Sequence, residues 1–430
     1  MVQKMRKMKD SGIEWIGEIP EGWEIVPVRS CFDEVRTKNT DGQEQNALQF
    51  KSGNIISKAN FNANIDDYVA DTITNYTVVL PDTVMINGLN LNYDFKSLRV
   101  ALVKEKGVIT PAYLAIFPDR KKIFPQYATY LFKGYETKMA FHNMGAGIRK
   151  TLGYKEFKNQ PLLLPSKEEQ NKISAYLDSK CSHIDIMLSK IRSSIEEYKK
   201  LKQAVITQAV TKGVRGEREM KDSGVEWIGE IPVDWEISRI KYVSIFEPSC
   251  DFRKLTPETI ITYSPMECIK NGTFERRTSL YGNLAHTLTP FQNGDIVMAK
   301  VTPCFENGNI AIMNELQSGY GLGSSELFVF RPQNINTRYL FYWLQNKLFV
   351  HQACATMTGT GGLKRISPSF VKNCNIHYPS TAEQAQIAAY LDTKCAEIDK
   401  LIAKKEQLVK ELESYKKSLI YEVVTGKREV

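Results

Sequence analysis

The sequence predicts an α+β protein with two pseudo-symmetric globular α/β domains and two long helices that pack on each other. Three observations support this fold class. They are an internal repeat that spans the chain, two helical stretches without Pro or Gly, and short β-type runs between them. The 430 residues are 42% apolar and 10% aromatic, which is enough to build packed cores.

The repeat is clearest in a leader segment. Residues 8–25 and 220–237 are identical at 15 of 18 positions, and the helical stretches 169–211 and 383–425 align without a gap. The displacement between the two copies is therefore nearly constant, which indicates that the whole chain is a duplication. The predicted segments are a leader (1–25), a first domain (26–162), a first spacer helix (163–212), a linker with the repeated leader (213–237), a second domain (238–377) and a second spacer helix (378–430).

Both helical stretches carry apolar residues at steps of three and four, which is typical of a helix that packs against another helix. Such a long helix with one apolar seam is not stable alone, so we expect each copy to pack against the other. The predicted seam residues are Ile173, Leu177, Ile184, Leu188, Ile191 and Ile195 in the first helix, and Ile387, Leu391, Ile398, Ile402, Leu412 and Leu419 in the second.

The first domain contains short β-type runs that are divided by turn residues. We predict strands at residues 75–80, 83–86, 98–103 and 112–117, followed by a helix at 127–141. A polar loop (87–94) separates the second and third strands, and a Gly-rich basic loop (144–157) follows the helix. The second domain repeats this plan, with strands at 295–300 and 326–330 and a second Gly-rich basic loop at 357–370. The leaders and helices are thus nearly copied, whereas the domains keep their layout and differ in sequence. That contrast favours a recognition protein over a duplicated enzyme.

We find no sequence pattern for an active site or a cofactor. The eight Cys form no CxxC pair, the five His form no HxxxH pair, and no phosphate-binding Gly motif follows a strand. No methyltransferase motif and no S-adenosylmethionine loop is evident. The chain also lacks a run of 18 uncharged apolar residues, so we expect a cytoplasmic protein that does not bind a membrane.

The net charge of +8 is compatible with nucleic-acid binding but does not establish it. Basic residues in a Gly-rich loop can contact phosphates or guanine, and Asn can pair with adenine. A solvated turn explains one such loop, but its recurrence in both domains favours DNA contact. Turn formation explains the Asn residues equally well. The candidate DNA-binding residues are Asn87, Asn90, Asn92, Arg99, Arg149, Lys150, Arg276, Arg277, Lys300, Lys364 and Arg365.

The two helical copies begin with P-S-x-x-E-Q-x-x-I-x-x-Y-L-D-x-K and end with V-T. Together with the leader G-x-E-W-I-G-E-I-P, this arrangement resembles the specificity subunit of type I restriction-modification systems. The resemblance covers essentially the whole chain. The residues that carry it are Pro165, Glu169, Gln170, Ile173, Leu177, Asp178, Ile184, Asp185, Val210 and Thr211, and again Pro379, Glu383, Gln384, Ile387, Leu391, Asp392, Ile398, Asp399, Val424 and Thr425.

The resemblance implies two target-recognition domains held apart by two long antiparallel coiled-coil helices. Each domain would read one half of a bipartite, asymmetric site in double-stranded DNA. The subunit would be non-catalytic and bind two modification subunits, which use S-adenosylmethionine to methylate adenine, and restriction subunits would join that core. Two alternatives remain open at this point: a stand-alone nuclease or methyltransferase, and a coiled-coil interaction scaffold that reads no DNA.

Overall fold

The computed structural model describes residues 6–58, 73–145, 150–270, 272–285, 287–359 and 363–430. The chain forms two compact units. Unit 1 comprises Met1–Ile191 and Gln407–Val430, and unit 2 comprises Arg192–Glu406. Each unit therefore contains one globular domain and a segment of each long helix. No helix in the described part of the chain is long and apolar enough to cross a membrane.

Unit 1 is built from twelve described strands, three short helices and the first long helix. The strands are β1 (Met8–Asp10), β2 (Glu18–Pro20), β3 (Glu24–Pro27), β4 (Phe32–Glu34), β5 (Leu48–Lys51), β6 (Asn54–Ser57), β7 (Thr77–Val79), β8 (Val84–Ile86), β9 (Val100–Leu102), β10 (Gly107–Ile109), β11 (Leu114–Pro118) and β12 (Pro161–Leu164). The helices are α1 (Pro125–Thr137), α2 (Ala140–Met144), α3 (Tyr154–Phe157) and the long α4 (Lys167–Lys212), which continues into unit 2.

Unit 2 begins and ends with equivalent elements but has additional strands between them. Its strands are β13 (Met220–Asp222), β14 (Glu230–Pro232), β15 (Glu236–Arg239), β16 (Ser244–Phe246), β17 (Ile260–Ser264), β18 (Ile269–Lys270), β19 (Thr273–Phe274), β20 (Arg277–Leu280), β21 (Thr289–Gln292), β22 (Ile296–Ala299), β23 (Ile310–Ile312), β24 (Tyr320–Gly323), β25 (Leu327–Pro332) and β26 (Asn375–Tyr378). Its helices are α5 (Ile240–Val243), α6 (Thr337–Trp343), α7 (Lys347–Ala355), α8 (Pro368–Asn373) and the long α9 (Thr381–Val424), which returns to unit 1.

The same four-stranded antiparallel sheet lies in each unit. Its order is β4-β11-β8-β9 in unit 1 and β16-β25-β22-β23 in unit 2. The central strands β8 and β22 are buried along their whole length, which explains why their sequences are continuously apolar rather than alternating. Unit 2 has a further four-stranded sheet, β20-β17-β24-β21, in which β17 and β24 run parallel.

The two long helices contribute to the main core of each unit. In unit 1, Ile173, Leu177 and Ile184 of α4 lie in one apolar cluster with Leu419 and Val423 of α9. In unit 2, Ile206 and Val210 of α4 lie in one cluster with Ile387 and Leu391 of α9. Nine of the twelve predicted seam residues are buried, and Ile191, Ile402 and Leu412 are half-buried.

The helix segments run antiparallel within each unit. In unit 1, Asp185 accepts from the Lys416 ammonium at 2.7 Å. In unit 2, Lys202 donates to Asp399 at 2.6 Å. Tyr176 also contacts Arg428 in unit 1, and Tyr198 contacts Lys405 in unit 2, so within each unit residues later in α4 face residues earlier in the second helical segment. Asp185 aligns with Asp399 in the repeat, and Lys202 aligns with Lys416. The two ion pairs are therefore equivalent contacts, one in each unit.

Two repeated polar residues attach the start of each long helix to its domain. The buried Gln170 amide accepts from Phe124 N at 2.8 Å and donates to the Pro165 carbonyl, which joins α4 to the turn before α1. Gln384 makes the equivalent bonds to Asn336 N and to the Pro379 carbonyl. These bonds satisfy backbone groups that burial would otherwise leave unpaired.

The repeated acidic residues add further hydrogen bonds and ion pairs between each long helix and its domain. Asp178 accepts from the Tyr130 hydroxyl at 2.8 Å, and Asp392 accepts from the Tyr342 hydroxyl at 2.7 Å. Glu383, which is buried, pairs with Arg218 at 2.6 Å beside the repeated leader. The segment E-Q-x-x-I-x-x-Y-L-D is therefore explained by internal packing and hydrogen bonding.

Candidate nucleic-acid interface

In unit 1, the buried strand β8 leads into an exposed loop of residues 87–99, which we call strand-end loop 1. Local hydrogen bonds fold it. Asn87 Oδ1 accepts from Leu89 N at 3.1 Å, and the Asn90 carbonyl accepts from Tyr93 N and Asp94 N. Asn90 has a φ of 52°, which Asn tolerates better than most residues. Asn90 is exposed, whereas Asn87 and Asn92 are half-buried.

Arg99 does not have the role that the sequence predicted. Its side chain is 0% exposed, so it is not available for a DNA contact. Its guanidinium donates to the Asn87 carbonyl at 2.9 Å, to the Leu89 carbonyl at 2.8 Å and to the Asp94 carbonyl. Burial lowers the pKa of Arg99, and the nearby Asp94 carboxylate opposes that shift. Arg99 is therefore a positioning residue, because its buried guanidinium holds strand-end loop 1 through hydrogen bonds to three carbonyl groups.

The Gly-rich basic loop of unit 1 lies directly against strand-end loop 1. Leu152 N donates to the Gly88 carbonyl at 2.9 Å, and Leu91 N donates to the Lys150 carbonyl at 3.2 Å. A side chain at position 88 would come within 2.4 Å of the Leu152 carbonyl, so this approach requires glycine. Lys150 is exposed at the junction. Arg149, the other predicted cation of this loop, lies outside the described residues.

Unit 2 joins the corresponding loops in the same way. Strand-end loop 2 (residues 300–309) follows β22 and meets the second Gly-rich basic loop. Thr302 N donates to the Lys364 carbonyl at 2.9 Å, and Ile366 N donates to the Lys300 carbonyl at 2.9 Å. Val301 also forms a bridge with Arg365. The predicted residues Lys300, Lys364 and Arg365 are thus brought together, as are Asn87, Asn90 and Lys150 in unit 1.

Arg365 is held by an internal ion pair. Its guanidinium donates to both carboxylate oxygens of Glu326, at 2.9 and 2.7 Å. The pair raises the pKa of Arg365 and lowers the pKa of Glu326. Lys364 is exposed beside it, and the Lys300 ammonium lies 5.6 Å from the centre of the Phe328 ring. Lys364 is therefore the more accessible cation of this surface.

Arg276 and Arg277 lie elsewhere in unit 2. Arg276 pairs with Glu315, which follows β23, whereas strand-end loop 2 precedes that strand. Arg277 pairs with Glu275 at 2.9 Å and with Glu267 at 3.3 Å. The described contacts of these two arginines are therefore with carboxylates away from strand-end loop 2. A DNA contact by either arginine remains a prediction.

One feature of this surface is not predictable from the sequence. Tyr93, Phe95 and Leu98 of strand-end loop 1 are exposed, although each is large and apolar. Only the side-chain orientation reveals this, because the same residues in a short polar loop could equally have packed inward. Among the described residues, no group of three or more His, Cys, Asp or Glu side chains is placed to hold a metal ion.

Residues 232–411 match the family model described as the type I restriction modification DNA specificity domain. The chain is 32% identical over 163 residues to the type I restriction enzyme EcoEI specificity subunit of Escherichia coli. That alignment covers 37% of this chain and 27% of the relative, so the chain spans about a quarter of the length of that relative.

Other similarities extend over the whole chain. The type I restriction enzyme MjaVIII specificity subunit of Methanocaldococcus jannaschii is 24% identical over 423 residues, which cover 95% of this chain and 93% of that protein. A solved structure, described as the basis of complex assembly and conformational transition of the type I R-M system, matches with a TM-score of 0.67. It is 14% identical, and the match covers 95% of this chain and 99% of that chain. This last similarity concerns the fold.

Proposed function

We propose that this chain belongs to the family of the type I restriction modification DNA specificity domain and is the DNA-reading subunit of a type I restriction-modification complex. Each unit would read one half of a bipartite, asymmetric site in double-stranded DNA. The chain itself would catalyse no reaction. Modification subunits that bind S-adenosylmethionine would methylate adenine in the site that this chain selects.

The observation that carries the proposal is the paired-loop surface that recurs in both units. In each unit the loop after the central strand is hydrogen-bonded to a Gly-rich basic loop, through Gly88 and Leu152 in unit 1 and through Thr302 and Lys364 in unit 2. A scaffold that reads no DNA has no need of this surface in both units.

The chemistry of each surface is suited to DNA. Exposed ammonium groups of Lys150 and Lys364 are suited to phosphate contacts, which position a protein on the duplex. Asn87, Asn90 and Lys300 lie on the loops that are paired with them. Asn and Lys are residue types that pair with adenine and guanine in the major groove.

The long helices are the proposed docking sites for two modification subunits. Met187 and Tyr415 are exposed near the Asp185–Lys416 ion pair of unit 1. Their equivalents in the repeat, Leu401 and Leu201, are exposed near the matching ion pair of unit 2. Exposed apolar residues that recur at equivalent positions of both helices are suited to two copies of one partner, and restriction subunits would join the resulting core.

The proposal is tested by mapping methyladenine across the genome of cells that express the chain with its modification and restriction partners. The map is repeated after deletion of the gene for this chain alone. We expect a split motif, with two defined halves around an undefined spacer, to lose methylation on deletion. Methylation that is unchanged, with the partners active, would instead favour a scaffold that does not select DNA.

A further inference from the structure

Strand-end loop 1 exposes three large apolar side chains close together in the sequence. Tyr93 is 75% exposed, Phe95 56% and Leu98 44%. Isolated apolar residues are common on protein surfaces, but a cluster at the tip of one loop indicates an interaction site. The Phe95 ring is stacked on His142, with ring centres 5.1 Å apart and an angle of 11° between the planes. The ring is therefore fixed in orientation although it is exposed.

The loop that carries these side chains is preorganised. Arg99 binds three of its carbonyl groups from the buried side, and the Asp94 carboxylate accepts from Lys96 N and Ser97 N. Hydrogen bonds from Ser97 lower the pKa of Asp94 to about 2, so this carboxylate stays ionised at neutral pH. A loop held in this way loses little conformational entropy when it binds a ligand.

The charge around the apolar tip is compatible with DNA. Lys96 and Lys150 are exposed near it, and the one carboxylate of the loop, that of Asp94, is occupied by backbone N–H groups. Basic residues that flank aromatic rings are suited to a ligand with anionic backbones and apolar groups between them.

Strand-end loop 2, all of whose residues the structure describes, lacks this apolar tip. In strand-end loop 2, Phe305 is buried, and Glu306 and Asn307 are both exposed beside it. A protein partner that occupies both units in equivalent positions would need the same surface twice, as for Met187 and Leu401. A feature present in one unit fits a ligand that differs between the units. In an asymmetric DNA site, the half-site is that ligand.

We propose that Tyr93 and Phe95 make apolar contacts with the methyl groups of thymine in the major groove, so that unit 1 requires thymine in its half-site. This inference rests on the proposed function. Thymine is the base that presents an apolar group in the major groove, and aromatic side chains are among those that contact it. Arg99 holds the loop that carries the two rings, and the exposed Lys96, which follows Phe95 in the sequence, is suited to a contact with a neighbouring phosphate.

The test uses the complete complex of this chain with its modification subunits and a duplex that carries its methylated site. Each thymine of the unit 1 half-site is replaced in turn by deoxyuridine, which removes only the methyl group. We expect at least one replacement to weaken binding about fourfold, the loss that corresponds to one buried methyl group. In Tyr93→Ala or Phe95→Ala, the same replacement should have no further effect.

Leu80→Ala is the matched control. Leu80 is an exposed apolar residue of the same unit, but it lies before β8, at the opposite end from strand-end loop 1. Its variant should keep the full deoxyuridine effect. Because all three side chains are exposed, the variants should fold normally, and recognition of the unit 2 half-site provides an internal check.

The outcomes separate the inference from the proposed function. A deoxyuridine effect that persists in both aromatic variants, or a unit 1 half-site without thymine on either strand, would overturn the inference alone. A complex that binds its site no better than a scrambled duplex would overturn the proposed function and the inference with it.

Discussion

His377 of β26 lies in the core of unit 2 at the position that Leu163 of β12 occupies in the first copy of the repeat. Its ring is 1% exposed and stacks on Trp235 with centres 5.8 Å apart. The two strands are otherwise used alike, since Tyr127 donates to the Leu163 carbonyl and Tyr339 to the His377 carbonyl. At this equivalent core position, unit 2 therefore has a titratable ring and unit 1 has an aliphatic side chain.

We predict that His377→Leu removes an acid sensitivity of unit 2. Burial lowers the pKa of His377 from 6.5 to about 4. Below pH 6.5 the unfolded chain binds a proton that the folded chain does not bind, so the free energy of unfolding falls until the pH reaches about 4. The loss is roughly 2 kcal/mol at pH 5. Urea unfolding of the full chain at pH 7 and pH 5 measures this loss, and the variant should lose less stability than the wild type between these pH values.

The control for the His377 prediction is His183→Gln, because His183 is exposed. If His377→Leu lost as much stability between pH 7 and pH 5 as the wild type, the prediction would be refuted.

We predict that Arg99→Met destabilises unit 1 by about 3 kcal/mol, because three carbonyl groups lose a charged donor in a buried site. Arg120→Met is the control, since Arg120 pairs with Asp82 on the exposed side of the turn before β8 and should change stability by less than about 1 kcal/mol. Urea unfolding gives both values. Proteolysis within residues 87–98 should increase only in Arg99→Met. Equal effects of the two substitutions would contradict the positioning role of Arg99.

Arg99 also illustrates what the sequence could not reveal about the site. An arginine next to an Asn-rich loop indicates a DNA contact, and the sequence has no signal for whether the guanidinium faces outward or supports the loop. The orientation depends on the three carbonyl groups that the folded loop turns toward Arg99. In contrast, the contact between the Gly-rich basic loop and the loop after the central strand agrees with the sequence pattern. Both loops occur at equivalent positions in the two copies of the repeat.

At the scale of elements, the long helices were the part most open to prediction. Apolar residues spaced three and four apart form one seam along each long helix. The predicted seam residues from Ile173 to Leu188 and from Ile387 to Ile398 are buried. The strands that were predicted lie within about three residues of those observed, as for the prediction at 98–103 and the observed β9 at Val100–Leu102. Other strands, such as β5, β6 and those of the second sheet of unit 2, were not predicted. The predicted helix 127–141 is divided into α1 and α2, because Met139 adopts a φ of 53° between them. Such a local conformation has no signature in the apolar periodicity.

The duplicated apolar residues on the helices lead to a prediction about assembly. The double substitution Met187→Asp and Leu401→Asp should reduce copurification of the modification subunits about tenfold or more, because a charge would replace an apolar side chain at both proposed docking sites. The folded chain should be unaffected, since both residues are exposed.

Ile186→Asp is the control for this assembly experiment. Ile186 is as exposed as its neighbour Met187, but its equivalent in the second copy is Lys400, so it does not belong to a duplicated apolar surface. It should retain both partners. Loss of partners in the control, or retention of both in the double variant, would contradict the assignment of this helix face.

Across the whole molecule, the two attachments of the long helices are the same, whereas the two strand-end loops differ in the side chains that they expose. Gln170 and Gln384 attach the helices to the domains in the same way, whereas strand-end loop 1 presents aromatic rings and strand-end loop 2 presents Glu306 and Asn307. The second four-stranded sheet of unit 2 adds to this difference. The duplication was evident from the sequence. The differences in surface were not, because they depend on which side chains of a loop are exposed after folding.

The central claim is that each unit reads its own half of a bipartite DNA site. It is tested most directly by exchanging residues 26–162 for the corresponding segment of a relative and mapping methyladenine in cells that contain the partner subunits. We predict a methylated motif in which one defined half has changed while the other half is the same as before. A motif that is unaltered by the exchange, or one in which both halves have changed, would contradict the claim.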